Sequence, residues 1–248
     1  MPRVSVISYL NSLPFAWCLE HSDIINDIVL TYDIPSHCAD KLLSDETDIG
    51  LIPIVEILRM PEYHIVSDMC IGASDAVQTV LLVSEAPLKD ISTVYLDNHS
   101  RTSVALSKIL AKHHWKISPH WQSFSGDITA FPRNGRSAAV VIGDKAFGVN
   151  SPFVYDLVVE WRKFTGLPFV FACWVANKPL CKYFLKKFND AMANVTDNMD
   201  EIAEFYRDKA PAGVDLREYW TKNISYPLTK DKREGMNVFL RYAQEIKD

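Results

Sequence analysis

The sequence predicts an α/β protein that is divided into two blocks with a cleft between them. Predicted strands and helices alternate three times within residues 1–71, which favours a mostly parallel sheet with helices on its faces. Two long apolar runs, Val77–Ser84 and Phe169–Ala176, have the composition of central strands buried on both faces. They bracket a second α/β pattern, and the rest of the chain is helical. We therefore predict one domain of residues 1–82 with 173–248, and a second domain of residues 83–172.

Local signals justify each element of the first block. Apolar β-branched runs predict the strands, and proline at a first helical position predicts where helices begin. The predicted order is strand Arg3–Ser8, helix Pro14–Glu20, strand Ile28–Asp33, helix Pro35–Leu43, strand Asp48–Ile52, helix Pro53–Arg59 and strand Tyr63–Ile71. Ser36 is predicted as the N-cap of the helix that ends at Leu43.

The second block and the C-terminal region follow the same logic. Strands are predicted at Thr93–Leu96, Ser118–Phe124 and Ala138–Gly143, a helix at Ser100–Lys112, and a short strand or extended segment at Val154–Glu160. Amphipathic periodicity then predicts helices at Leu180–Val195, Asp197–Lys209, Asp215–Lys222 and Thr229–Lys247. Thr229 is the predicted N-cap of the last helix.

Composition indicates an ordinary globular protein. The 248 residues are 48% hydrophobic and 23% charged, with a net charge of −5 and no basic block, which argues against nucleic acid and anionic membranes as partners. The N-terminal residues lack the apolar core and cleavage site of a signal peptide, and no run of 18 apolar residues predicts a membrane span. Five cysteines without a CxxC pair favour free thiols. We therefore expect a cytoplasmic protein.

The turn after the strand Thr93–Leu96 has the composition of an anion site. It consists of four polar residues: Ser100, Arg101, Thr102 and Ser103. They open an apolar periodic segment, and no acidic residue lies between them and Leu110. Because the first turn of a helix presents free N–H groups and the positive end of the macrodipole, the segment predicts a site for a carboxylate or phosphate. A capped helix with a solvated Arg101 is the alternative.

Several segments resemble one enzyme family. Ser8–Phe15 (SYLNSLPF) is similar to the SYLN-x-x-P signature of the menaquinone-pathway chorismate dehydratases, the first enzymes of the futalosine route. Further similar segments are Asp48–Pro53 (DIGLIP), Ser100–Leu106 (SRTSVAL), Ile142–Asp144 (IGD) and Glu160–Phe171 (EWRKFTGLPFVF). The resemblance runs from residue 3 to residue 176. It departs at Ser12-Leu13, where Thr-Lys is common, so one basic side chain near the cleft is absent.

The resemblance implies a periplasmic-binding-protein type II-like fold that is used as an enzyme. The implied reaction is the dehydration of chorismate to 3-[(1-carboxyvinyl)oxy]benzoate, a hydro-lyase step of menaquinone biosynthesis. Loss of water across C3–C4 makes the ring aromatic, so the reaction requires no metal or redox cofactor, and we expect none. The implied partner is chorismate, a small dianion. The sequence does not predict an oligomeric state.

The resemblance also implies which residues form the site. Asn11 is the implied catalytic residue, because its amide can donate and accept at once and could orient the leaving hydroxyl or a carboxylate. The implied substrate-binding residues are Ser8, Tyr9, Thr79, Ser100, Arg101, Thr102, Ser103 and Asp144. Structural alternatives stay open. Asn11 could be a turn residue and Thr79 a core-strand threonine. Asp144 could be a general acid/base or a helix N-cap.

No general base stands out in the sequence. His113, His114 and His120 belong to none of the matching segments, and His37 and His64 are equally unsupported. We interpret all five as structural or surface residues. The enolpyruvyl carboxylate of the substrate could then remove the C3 proton while Asn11 positions it. Apolar walls could come from three aromatic residues: Trp161, Phe169 and Trp174.

Three other functions fit the same fold. One is a non-catalytic solute-binding protein for a small carboxylate, and a second is the ligand-sensing domain of a regulator. A third is the sibling enzyme of the same pathway, the dihydroxynaphthoate synthase, whose N-terminal motif differs.

Overall fold

The computed structural model describes residues 1–97 and 101–246. In chain order the strands of these residues are β1 (Arg3–Ile7), β2 (Val29–Asp33), β3 (Ile49–Pro53), β4 (His64–Ala73), β5 (Val80–Ser84), β6 (Thr93–Asp97), β7 (His120–Phe124), β8 (Ser137–Ile142), β9 (Phe153–Asp156), β10 (Phe169–Ala176) and β11 (Ser225–Pro227). They form two sheets. The first has six strands in the order β11-β4-β10-β3-β1-β2, and the second has five in the order β7-β6-β8-β5-β9.

The α-helices of the described residues cover the two sheets. They are α1 (Leu13–Glu20), α2 (Pro35–Leu43), α3 (Arg101–Ile109), α4 (Leu157–Thr165), α5 (Lys182–Ala193), α6 (Met199–Phe205), α7 (Leu216–Glu218) and α8 (Lys230–Glu245). Short 3-10 turns precede α1 and follow β3, and π-helical turns extend α3 and α7. No helix in this part of the chain is long and apolar enough to cross a membrane.

Both sheets mix parallel and antiparallel pairs. β1 is parallel to β2 and β3, and β6 is parallel to β7 and β8, as the alternating strand–helix pattern predicts. β10 enters the first sheet antiparallel to β3 and β4, and β5 runs antiparallel to β8 and β9 in the second. The sheets therefore contain more antiparallel pairing than we predicted, because the two apolar connecting strands run against their neighbours.

The two connecting strands belong to opposite sheets. β5 pairs with strands of the second sheet, although our predicted boundary at residue 82 divides it. β10 lies wholly in the first sheet, although the predicted boundary at residue 172 divides it as well. The division into two domains stays a prediction. We propose that its boundaries fall before β5 and before β10.

Helix α4 replaces most of the segment for which we predicted a strand. Asp156 caps the helix, because its carboxylate accepts hydrogen bonds from the N–H groups of Val158 at 3.0 Å and Val159 at 3.3 Å. Gly166 ends it with φ +76°, a left-handed conformation that favours glycine. The β-branched Val158 and Val159 favour a strand, but the caps at Asp156 and Gly166 stabilise a helix here.

Two helix starts also differ from the prediction. The N-cap of α2 is Ile34 rather than Ser36, which is buried within the first turn. The predicted helix Ser100–Lys112 is α-helical over α3 and continues as a π-helix from Leu110 to Trp115. Its predicted cap, Ser100, lies outside the described residues. The predicted N-cap of α8 is confirmed, since the Thr229 hydroxyl accepts the N–H of Lys232 at 3.4 Å.

Asp48 stabilises the end of the first sheet at which β1 and β3 begin. Its carboxylate accepts from the Arg3 backbone N–H at 2.8 Å and from the Arg3 guanidinium at 3.0 and 3.1 Å, and Lys178 Nζ lies 2.8 Å away. The Arg3 hydrogen bonds hold the pKa of Asp48 well below its usual value, with a further contribution from Lys178.

We expect Asp48→Asn to lower the free energy of unfolding at neutral pH by about 1–2 kcal/mol, as for a partly buried charge-assisted pair. Because the folded state lowers the pKa of Asp48, its stabilisation is present above the unfolded value of 3.8 and is lost as the pH falls. Urea unfolding from about pH 3 to about pH 7 measures this, with exposed Asp190→Asn as the control. An equally steep acid limb in wild type and Asp48→Asn would contradict the assignment.

Candidate functional site

A cleft lies between the two sheets, where the turns after β1, β3 and β8 meet the start of α3. It holds about 470 Å³ of space, part of it open to solvent. Most of its wall is apolar and comes from Ile7, Pro35, Pro53, Ile71, Val80, Ile142, Gly143, Phe171 and Ala172. Its polar groups come from Tyr9, Asn11, Arg101, Thr102 and Ser103. An apolar cleft with a few convergent polar groups is typical of a small-molecule site.

The turn that carries Asn11 is held by three distant segments. The Leu10 N–H donates to Asp144 Oδ1 at 3.2 Å, across from the second sheet. Trp220 Nε1 donates to the Leu10 carbonyl at 2.8 Å, and the Tyr226 hydroxyl donates to the Asn11 carbonyl at 3.0 Å. The backbone on both sides of the Asn11 side chain is therefore fixed by protein contacts.

The Asn11 amide itself is available. Its Oδ1 atom is buried, and no hydrogen-bond partner among the described residues reaches it. Because Asn11 also lines the cleft, a bound molecule with a hydroxyl or N–H group can supply the missing donor. This is the arrangement expected of a residue that acts on a ligand.

Tyr9 faces the cleft beside Gly143. Burial raises the pKa of the Tyr9 hydroxyl to about 12, and the nearby Asp97 and Asp144 carboxylates contribute. Tyr9 is therefore protonated at neutral pH and can donate a hydrogen bond. Gly143 has φ +63°, a conformation that favours glycine, and a Cβ atom there would lie only 3.1 Å from the Tyr9 ring.

Arg101 lines the cleft, but its charge is already paired. Its Nη1 and Nη2 atoms lie 2.9 and 3.0 Å from the Asp40 carboxylate, and Nη1 lies 2.8 Å from Glu56 Oε2. Asp40 belongs to α2, and the buried Glu56 belongs to the 3-10 turn after β3, where Arg59 also contacts it at 2.5 Å. Arg101 therefore connects the second block to the first through an ion-pair network.

The other residues of the predicted anion turn differ in their contacts. Thr102 is buried; its hydroxyl donates to the Phe171 carbonyl at 3.3 Å and accepts the Val55 N–H at 3.4 Å. Ser103 is buried and lines the cleft. Ser100 lies outside the described residues.

Three further predicted site residues do not line the cleft. Thr79 is buried with its hydroxyl 2.8 Å from the Tyr219 hydroxyl, as in the alternative of a core-strand threonine. Ser8 is exposed, and its backbone N–H donates to the Asp33 carbonyl at 3.0 Å. Asp144 accepts the N–H of Leu10, the first residue of the 3-10 turn that precedes α1. It therefore caps a turn of the first block and not the turn in which it lies itself. The protein atoms around Asp144 raise the pKa of its carboxyl by reducing its hydration.

The ionisable side chains among the described lining residues are those of Tyr9 and Arg101. The five histidines discussed above are absent from this wall, and so are Trp161, Phe169 and Trp174, which are core residues. Phe171 supplies the aromatic surface instead. The sequence reasoning missed Trp220 and Tyr226, because their part in the site depends on chain folding over more than 200 residues.

Comparison with solved structures defines the fold class. The chain aligns with a protein from Archaeoglobus fulgidus with a TM-score of 0.77 and 13% identity, over 99% of this chain and 97% of that one. It aligns with a Candida albicans protein described as exhibiting the generic periplasmic binding protein structural fold, with a TM-score of 0.62 and 12% identity, over 100% and 91% of the two chains. The molecule is thus a protein of the periplasmic-binding-protein-like fold, as we predicted.

Sequence comparison gives the family. Residues 2–245 match the family model for menaquinone biosynthesis. A chorismate dehydratase from Campylobacter jejuni is 30% identical over 97% of this chain and 96% of its own length. A second chorismate dehydratase, from Thermus thermophilus, is 23% identical over 93% of this chain and 91% of its own. The chain belongs to the menaquinone biosynthesis family, which confirms the resemblance found in its motifs.

We expect Arg101→Ala to lower the free energy of unfolding by about 1–3 kcal/mol, because it removes the cation that the second block contributes and leaves buried Glu56 and half-exposed Asp40 with Arg59 as their remaining guanidinium partner among the described residues. Arg59→Ala is the matched control: Arg59 contacts the same two carboxylates, at 2.5 and 3.5 Å, but does not line the cleft. Urea denaturation of both variants measures the difference. A larger loss for Arg59→Ala than for Arg101→Ala would show that Arg101 does not hold the two blocks together.

Proposed function

We propose that this protein is a chorismate dehydratase, a hydro-lyase that converts chorismate to 3-[(1-carboxyvinyl)oxy]benzoate in the futalosine route to menaquinone, acting in the cytoplasm. The observation that carries the proposal is the Asn11 amide, whose buried Oδ1 lacks a partner among the described residues and which lines an apolar cleft. The names of the two curated relatives support the same substrate.

The wall of the cleft suits a ring that becomes aromatic. Chorismate has an enolpyruvyl ether at C3, a hydroxyl at C4 and two carboxylates. Apolar groups such as Phe171, Ile71 and Ile142 can pack against the ring, while the polar groups contact its edges. Exclusion of water from such a cleft strengthens each remaining hydrogen bond.

The proposed binding site for a substrate carboxylate is the start of α3. We propose that the segment 100–103 holds a carboxylate through serine hydroxyls such as that of Ser103 and through the N–H groups of the first helical turn, since the Thr102 hydroxyl already donates to the Phe171 carbonyl. The α3 helix has nine residues, and no acidic residue occurs in its first turn. Because Arg101 is already paired with Asp40 and Glu56, its contribution in this proposal is the position of the turn and the local positive potential.

Asn11 acts as an orienting group rather than as a base. A neutral amide cannot accept the C3 proton, but its oxygen can accept a hydrogen bond from the C4 hydroxyl and its NH₂ group can donate to a carboxylate. Tyr9 remains protonated and is likewise a donor. We propose that the enolpyruvyl carboxylate of chorismate takes the C3 proton, and that the electrons of the C3–H bond form the C3=C4 double bond as the C4–O bond breaks. The departing hydroxide then takes up the proton from the carboxylate and leaves as water.

The direct test is incubation of the protein with chorismate, following the loss of its absorbance and identifying the product by mass. We expect a product lighter by one water and retaining the carboxyvinyl ether. A mock preparation from cells that do not express the protein serves as the control for contaminating activity. Binding of chorismate without turnover would overturn the proposal in favour of a non-catalytic carboxylate-binding protein.

We expect Asn11→Asp to retain the fold and nearly abolish turnover. The two side chains have almost the same shape, so packing changes little. The carboxylate, however, lacks the N–H donors of the amide and places a negative charge beside a dianion in a poorly solvated cleft. Thermal unfolding and kcat measure the two effects separately. Unchanged melting together with activity at or above that of the wild type would remove Asn11 from the mechanism.

A further inference from the structure

We propose that Trp220 and Tyr226 are positioning residues for the reaction, which act by fixing the turn that carries Asn11. This inference rests on the proposed function, in which the Asn11 amide orients the substrate. Both residues come from the C-terminal part of the chain and contact the backbone of the turn rather than the cleft.

Pro14 reduces the number of backbone donors that are available to the carbonyls of this turn. Within a helix, the N–H of residue 14 would donate to the carbonyl of Leu10, or to that of Asn11 in a 3-10 turn, but proline has no N–H. The Leu13 N–H bonds the Leu10 carbonyl, and Trp220 Nε1 adds a second donor at 2.8 Å. The Tyr226 hydroxyl donates to the Asn11 carbonyl at 3.0 Å.

The indole hydrogen bond of Trp220 sets it apart from other tryptophans of the core. The Nε1 atoms of Trp17, Trp161 and Trp174 are buried and have no hydrogen-bond partner among the described residues. Trp220 is equally buried, at 1% exposure, but lies in the π-helical turn Tyr219–Asn223, which points its N–H at the Leu10 carbonyl.

Burial and ring packing fix the position of the Tyr226 side chain. It is 2% exposed in the short strand β11, and its ring packs edge-to-face on Phe15 with the centroids 5.1 Å apart. Burial raises the pKa of its hydroxyl well above the usual value, so the group is a neutral donor to the Asn11 carbonyl.

These contacts matter for the reaction because the Asn11 side chain has no comparable anchor. Its Oδ1 atom has no partner among the described residues, so the backbone decides where the amide points. A shift of the turn therefore moves the amide relative to the substrate, and misplacement of a reacting group by about 1 Å can cost about 100-fold in rate.

The first test is a double-mutant cycle on the wild-type background. We expect Tyr226→Phe, which removes only the hydroxyl, to lower kcat about tenfold with KM within about twofold. In the Asn11→Ala background the same change should have almost no effect on kcat, because nothing remains to be positioned. Tyr95→Phe is the control, since Tyr95 is buried in a separate core cluster of the second block. A full loss in both backgrounds would assign Tyr226 a merely structural role.

Trp220→Phe tests the second anchor against Trp174→Phe. Both indoles are buried, but within the described part of the chain a hydrogen bond is donated by Trp220 and not by Trp174. We expect Trp220→Phe to lower kcat more than Trp174→Phe does at a similar melting temperature. Equal kcat in the two variants would overturn the role of Trp220.

A second readout does not depend on turnover. In protein labelled with ¹⁵N-asparagine, the Asn11 side-chain resonance is assigned by its loss in Asn11→Ala. We expect Tyr226→Phe and Trp220→Phe to shift it, and Tyr95→Phe and Trp174→Phe to leave it in place. An unmoved resonance in the first two would overturn the positioning role even if chorismate were not the substrate. Conversion of chorismate by the wild type tests the proposed function separately.

Discussion

The geometry of the cleft depends on how two backbone carbonyls find hydrogen-bond donors. Pro14 cannot donate an N–H to the carbonyls of Leu10 and Asn11, and buried carbonyls require partners. The Leu10 carbonyl accepts from the Leu13 N–H and from Trp220, and the Asn11 carbonyl accepts from Tyr226, so side chains from the last 30 residues of the chain complete the hydrogen bonding of the turn. The N-terminal turn and the C-terminal segment are therefore one unit, consistent with our proposal that the C-terminal helices belong to the first domain.

The charged side chains of Arg101 and Asp144, in and beside the cleft, already have hydrogen-bond partners within the protein. Arg101 is balanced by Asp40 and Glu56, and Asp144 is turned to a backbone N–H. An apolar ring would thus meet apolar walls, while its carboxylates and hydroxyl would meet neutral donors and acceptors. Stabilisation by oriented neutral dipoles needs no proton transfer from the protein, and it is effective where water is excluded. In the proposed reaction, such dipoles would orient the substrate while its own carboxylate acts as the base.

The fold was largely predictable, since long apolar runs such as β10 and a capped amphipathic helix such as α8 carry strong local signals. The segment at Val154–Glu160 was not, because β-branched residues and helix caps conflicted there and the caps prevailed. Asn11 could be proposed from its motif. The pairing of Arg101 with Asp40 could not, because no local signal connects residues 61 positions apart. Contacts such as that of Trp220 with Leu10 depend on tertiary structure alone.

The most direct test of this account is the pH dependence of kcat for chorismate. If an amide and the carboxylate of the substrate perform the chemistry, no group among the described residues that line the cleft should titrate near neutrality, because burial raises the pKa of Tyr9 to about 12 and Arg101 remains charged. We predict a flat profile from about pH 6 to about pH 9. A limb with an apparent pKa in that range, lost on mutation of a single histidine, would identify a protein base and contradict the account.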